Sequence, residues 1–77
     1  MTDLTDLLGD ILRLPASQIS DATTMADTDS WDSLAHMDLM GALEETYEIT
    51  LSADDMVEMT SVAAIRSVLA QHGVAGS

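Results

Sequence analysis

The chain has no cysteine and no phenylalanine, a single proline, and only two basic residues, Arg13 and Arg66, among its 77 positions. Without cysteine, neither a disulfide framework nor a thiolate metal site can staple the fold. The shortage of bases leaves fourteen acidic side chains unbalanced, for a formal charge of −12. Phosphate backbones and anionic lipid surfaces reward clustered Lys and Arg, so this balance argues against nucleic-acid and membrane partners and for basic protein surfaces. No run approaches the ~20 apolar residues of a membrane span, and no basic segment followed by an apolar one opens the chain. A cytoplasmic, monomeric protein is the expectation. Acidic chains poor in aromatics can be disordered, but 47% of these residues are hydrophobic and they recur periodically, which predicts a folded chain. The length supports one domain over residues 1–77. A domain of this size buries only about 60% of its unfolded surface, which argues against a deep catalytic cavity. The initiating Met and the complete helix set favour a free-standing protein.

What the sequence does contain is helical periodicity. Leu4, Leu7, Leu8, Ile11 and Leu12 recur at helical spacing, with Asp3, Asp6, Asp10 and Arg13 on the other side, and Pro15 is expected to stop this first helix. From Ala16 to Ser30 the chain is rich in Ser, Thr, Asp and Ala, with Ile19 and Met25 as isolated apolar anchors. A loop this long in so small a domain points to function or partial mobility. A second helix is predicted from Ser33 to Tyr47. Its core face carries His36, Leu39, Met40, Leu43 and Tyr47; Leu34, Met37, Asp38, Gly41, Glu45 and Glu48 lie opposite. A row of acids alone reads as a solvated face. With Leu34 and Met37 among them, a docking surface is the better reading. Ile49 and Leu51 anchor a connection to one or two further helical turns capped by Ser52, with Asp54 and Asp55 at their positive end. A last helix follows, with Val62, Ile65 and Leu69 inward, Gly73 as C-cap and a frayed tail from Val74. The prediction is an all-α fold, a small four-helix bundle of three main helices and one short one.

The stretch Thr28 to Met40, TDSWDSLAHMDLM, concentrates the candidate chemistry. Asp32, Ser33 and His36 together suggest a hydrolytic triad, but on one helical turn the base lacks a separate orienting acid and no oxyanion hole is apparent. Asp27, Asp29 and Asp32 suggest a calcium loop. That pattern requires Asp or Asn in place of Trp31, Gly in place of Asp32 and Glu in place of Asp38. Ser33 itself reads locally as a helix-start residue, with Ser30 or Asp32 equally able to cap. Trp31 reads as a pin for the loop and His36 as a partly buried core histidine, against a role with a cargo. Met40, Leu43, Met56 and Met59 read as core, against an acyl pocket.

Asp32-Ser33-Leu34, opening an acidic helix after a long loop, resembles the acyl carrier protein family. The similarity extends through ALEETYEI, LSADDM and MTSVAAI, essentially without gaps from Asp32 to Val62. It implies a four-helix carrier, not an enzyme, that bears 4'-phosphopantetheine on Ser33. A phosphopantetheinyl transferase would attach the arm from coenzyme A with magnesium, and acyl or aminoacyl intermediates would ride on it as thioesters. Asp32 and Leu34 would belong to the recognition motif, with Met37, Asp38, Glu44, Glu45 and Glu48 on the partner-docking helix. Trp31-Asp32-Ser33-Leu34 with His36 is more similar to carriers of specialised polyketide or nonribosomal peptide pathways, and Gly41 stands where fatty-acid carriers often have a bulky apolar residue. Free N–H groups at a helix start would favour a phosphodiester on Ser33, although Asp32 opposes it. The alternative is an unmodified acidic adaptor for a basic partner, with a calcium sensor third.

Overall fold

Leu4, Leu8 and Leu12 stack four residues apart along one side of the first helix and are completely buried, with Leu7 and Ile11 half-covered beside them. The structure, a computed structural model, describes residues 4–74; Asp3, expected on the polar side of this helix, lies outside them. The elements are α1 (Leu4–Leu12), α2 (Ser33–Tyr47), α3 (Ala53–Glu58) and α4 (Val62–Gln71). The fold is the expected small all-α bundle of four helices, with no strand among the described residues and one isolated antiparallel bridge, Thr24 to Ser61. α2 contributes Leu39, Met40 and Leu43 to the core and α4 contributes Val62, Ile65, Val68 and Leu69. Met59 is buried with them and Met56 is half-buried against them.

Three of the helices end in the same way. The residue after α1, Arg13, takes a left-handed backbone (φ 58°), and the Leu14 N–H reaches back to the Gly9 carbonyl at 3.1 Å. Glu48 (φ 54°) with Ile49 to the Glu44 carbonyl at 3.1 Å closes α2. Gly73 (φ 84°) with Val74 to the Leu69 carbonyl at 2.9 Å closes α4. In each case the residue after the left-handed one, Leu14, Ile49 or Val74, packs on the core. This pairs a carbonyl otherwise left orphaned with an apolar anchor. Only Gly73 adopts that backbone freely; at Arg13 and Glu48 it costs roughly 1–2 kcal/mol, which the anchoring Leu14 and Ile49 offset. Two expectations change accordingly. The α1 stop is made at Arg13, before Pro15 is reached. Val74 is held rather than frayed, while residues 75–77 lie outside the described ones.

A Cβ at Gly9 would meet the Leu14 carbonyl oxygen at 3.0 Å, a tight contact that the backbone at Leu14 would have to shift to relieve. Gly41 has open space around it. Gly41→Ala should therefore stabilise the protein by about 0.5–1 kcal/mol, the helix-propensity difference, and a denaturation midpoint measured against wild type checks this.

The long loop is tied down. It contains a short 3₁₀ turn at Ala16–Gln18, and the Thr23 Oγ1 donates to the Gln18 carbonyl at 3.1 Å. The Met25 N–H reaches the Thr60 carbonyl at 2.8 Å and the Val62 N–H reaches the Thr23 carbonyl at 3.0 Å. Arg66 donates to Asp21 at 2.8 Å.

α3 is short and depends on its ends. Ser52 Oγ accepts from the Asp55 N–H at 3.1 Å, and Asp55 Oδ2 accepts from the Ser52 N–H at 3.2 Å, a reciprocal cap. The same Oδ2 accepts from His72 Nε2 at 2.9 Å, joining α3 to the end of α4. The His72 hydrogen bond, and after it the Ser52 N–H, hold the Asp55 carboxyl below the ordinary carboxylate range. A carboxyl with lowered proton affinity in the fold stabilises it fully above about pH 4, and that contribution fades as pH falls through the folded value. Asp55→Asn should therefore melt below wild type at neutral pH, with the gap closing on acidification through this range in a series of thermal melts.

Candidate functional site

The start of α2 is built by a cap and an anchor on either side of Ser33. Asp32 is the cap: its extended backbone leads into the helix, and its Oδ1 accepts from the Ala35 N–H at 2.8 Å. This decides between the two candidates, Ser30 and Asp32. Ser33 is the first helical residue, exposed, and its hydroxyl makes no hydrogen bond among the described residues. The N–H groups of Ser33 and Leu34 also lack acceptors there, because the first intrahelical bond is donated by His36 to the Asp32 carbonyl at 2.9 Å. An unengaged hydroxyl beside free N–H groups, at the positive end of a 15-residue helix, is suited to carry a phosphodiester.

The anchor is Trp31, whose side chain is buried in the core immediately before the cap. Its indole Nε1 donates to His36 Nδ1 at 3.0 Å, and His36 Nε2 stands 2.9 Å from the Met56 carbonyl oxygen. An indole N–H can only donate, so Nδ1 must be bare and the imidazole proton sits on Nε2, donating to Met56. One side chain thus links the end of the loop, the first turn of α2 and α3. These two bonds occupy both ring nitrogens of His36, and Asp32 is engaged with Ala35, so no base faces Ser33 from this trio. The arrangement presents a hydroxyl; it does not activate one.

Two of the three Asp residues considered for a calcium loop are engaged separately. Asp27 accepts from Thr24 Oγ1 at 3.1 Å, and Asp32 serves its cap. Among the described residues, no group of three or more His, Cys, Asp and Glu side chains is placed to hold a metal ion.

Beyond Ser33, α2 exposes Leu34 (74%) and Met37 (64%) together with Asp38 and Glu45, and Glu48, the residue that closes it, is exposed as well. Glu44 stands apart from this group: it is half-buried, and its Oε2 accepts from the Leu51 N–H at 2.9 Å, fixing the turn into α3. A residue that sequence reasoning missed is Val57 on α3, 76% exposed. The signal was available, since Met56 and Met59 three apart mark the inward side and place Val57 outside. No described helix is long and apolar enough to cross a membrane.

A search of curated proteins gave no match. The family described as "Phosphopantetheine attachment site" matches over residues 2–69, which takes in all of α1, α2 and α3 and most of α4. That match covers most of the chain. The chain therefore belongs to the phosphopantetheine attachment family, whose domains are non-catalytic carriers of a covalently attached 4'-phosphopantetheine.

Proposed function

We propose that Ser33 Oγ is the attachment atom and that the protein carries acyl or aminoacyl intermediates between biosynthetic enzymes. The observation that carries this is the division of labour at the α2 start: Asp32 caps, Trp31 anchors, and Ser33 is left exposed with its hydroxyl unengaged. When attached, the arm supplies a terminal thiol that holds the cargo as a thioester. The chain's own residues hold the phosphate end of that arm, through the free Ser33 and Leu34 N–H groups and the α2 dipole, and keep the attachment point at the surface.

The absence of cysteine agrees with this role, because no second thiol of the chain competes for the cargo. Asp32, Leu34, Met37, Asp38, Glu45 and Glu48 form the docking face, acids around an apolar centre, suited to a partner with basic residues around a shallow apolar recess. Glu44 supports that face by holding the α2–α3 turn. The family implies a phosphopantetheinyl transferase and biosynthetic enzymes as partners. The Trp31-Asp32-Ser33-Leu34 sequence supports a polyketide or nonribosomal peptide setting over a fatty-acid one.

The test is intact mass after incubation with coenzyme A, magnesium and a broad-specificity phosphopantetheinyl transferase. The expected result is a gain of one phosphopantetheine, mapped by peptide mass to Ser33. Folded protein that gains nothing would support an unmodified acidic adaptor instead.

A further inference from the structure

Between the end of α1 and the start of α2 lies an open groove of about 300 Å³ whose lining includes Asp32 and Leu34, the residues on either side of Ser33. Ile11, Leu34 and Ala35 give it apolar walls; Arg13 gives it one guanidinium, and Asp32 and Asp38 give it two carboxylates. Small-ligand sites span roughly 300–1,000 Å³, so the groove is large enough for a small ligand.

Arg13 is unusual in this chain. Of the two cations, Arg66 is paired with Asp21, whereas the Arg13 guanidinium makes no ion pair or hydrogen bond among the described residues. Ser30 also lines the groove, and its hydroxyl is buried without a hydrogen-bond partner among the described residues. A second, larger groove of about 540 Å³ shares Arg13 and Ser30, but no α2 residue lines it, so it does not lead from Ser33.

The charge balance selects the occupant. Asp32 and Asp38 outnumber Arg13 along the groove, so a free anion would be repelled there. A neutral chain of amides is matched, because each amide offers a carbonyl for Arg13 and an N–H for Asp38. The phosphopantetheine arm is such a chain below its phosphate, with a dimethyl carbon to cover apolar wall. We propose that the unacylated arm rests in this groove, its amides bonded to Arg13 and Asp38 and its dimethyl carbon against Ile11 and Leu34. This rests on Ser33 being the attachment residue. Leu34 and Asp38 also belong to the proposed docking face, so a partner seated there competes with the resting arm. Docking then frees the arm.

The experiment uses full-length protein, methyl-labelled at Ile and Leu, converted to the unacylated holo form and confirmed by mass before NMR. Nuclear Overhauser contacts are expected from the arm's dimethyl protons to the Ile11 and Leu34 methyls. In Arg13→Gln, an exposed substitution that leaves the core untouched, those contacts should weaken several-fold while loading is unchanged. Complete loading without contacts beyond the neighbours of Ser33, or contacts indifferent to Arg13→Gln, overturns the groove and leaves the carrier reading standing. Failure to load overturns both.

Discussion

Ser33→Ala protein should fold as the wild type does and accept no phosphopantetheine. The two halves of this outcome have separate causes. Stability is expected to change by no more than about 0.5 kcal/mol, because the Ser33 side chain is exposed and its hydroxyl bonds nothing among the described residues. The cap is carried by Asp32, which the substitution leaves in place. Modification is lost completely, since the acceptor oxygen is gone. Superimposable circular dichroism and denaturation curves, with no mass gain under conditions that load the wild type, would give the expected result. Uptake of the arm by Ser33→Ala would move the attachment to another hydroxyl. A large loss of stability would show that Ser33 has a structural partner. Binding assays add a second reading: an adaptor carrying Ser33→Ala would bind its partner as well as the wild type does and lose nothing, whereas a carrier would bind but hand over no cargo.

The other large effect is expected at His36. His36→Leu puts an apolar side chain of similar reach in its place and leaves the Trp31 indole N–H and the Met56 carbonyl without their partner. Orphaning polar groups in partly buried surroundings costs about 1–3 kcal/mol each when water cannot replace the bond. A combined loss of about 2–6 kcal/mol is expected, a large part of the stability available to a small domain. Trp31→Phe removes one bond and some ring volume and should be milder in its effect on α3, because His36 can still donate to Met56. The single tryptophan makes the measurement direct: Trp31 fluorescence follows its own environment through a urea titration. Hydrogen exchange should show α3 losing protection first in His36→Leu, since that helix has six residues and depends on its reciprocal cap, its His72 bond and this carbonyl. An unchanged urea midpoint, with α3 protection intact, would mean that water satisfies Met56 and that the link is dispensable.

The sequence by itself determined the helices and their inward faces. Leu4, Leu8 and Leu12, and Leu39 and Leu43, recur at a spacing that only one helical face can bury, so periodicity located them without knowledge of their neighbours. It also placed α2 from Ser33 to Tyr47, while Ser33 became the candidate attachment residue only through the resemblance of Asp32-Ser33-Leu34 to carriers. Ends and polar partners depended on what lies far along the chain. Arg13 and Glu48 turn left-handed because Leu14 and Ile49 have a core to reach, and nothing in the residue types at those two positions announces it. Glu44 reads as one more surface acid until its carboxylate is seen on the Leu51 N–H. His36 reads as a helix residue facing inward, but its tautomer is set by an indole before the helix and a carbonyl on α3. Hydrophobic burial is an additive property of a local pattern, whereas a hydrogen bond requires two specific atoms at one distance. Only the tertiary structure brings those atoms together, and with them the frame that leaves Ser33 exposed.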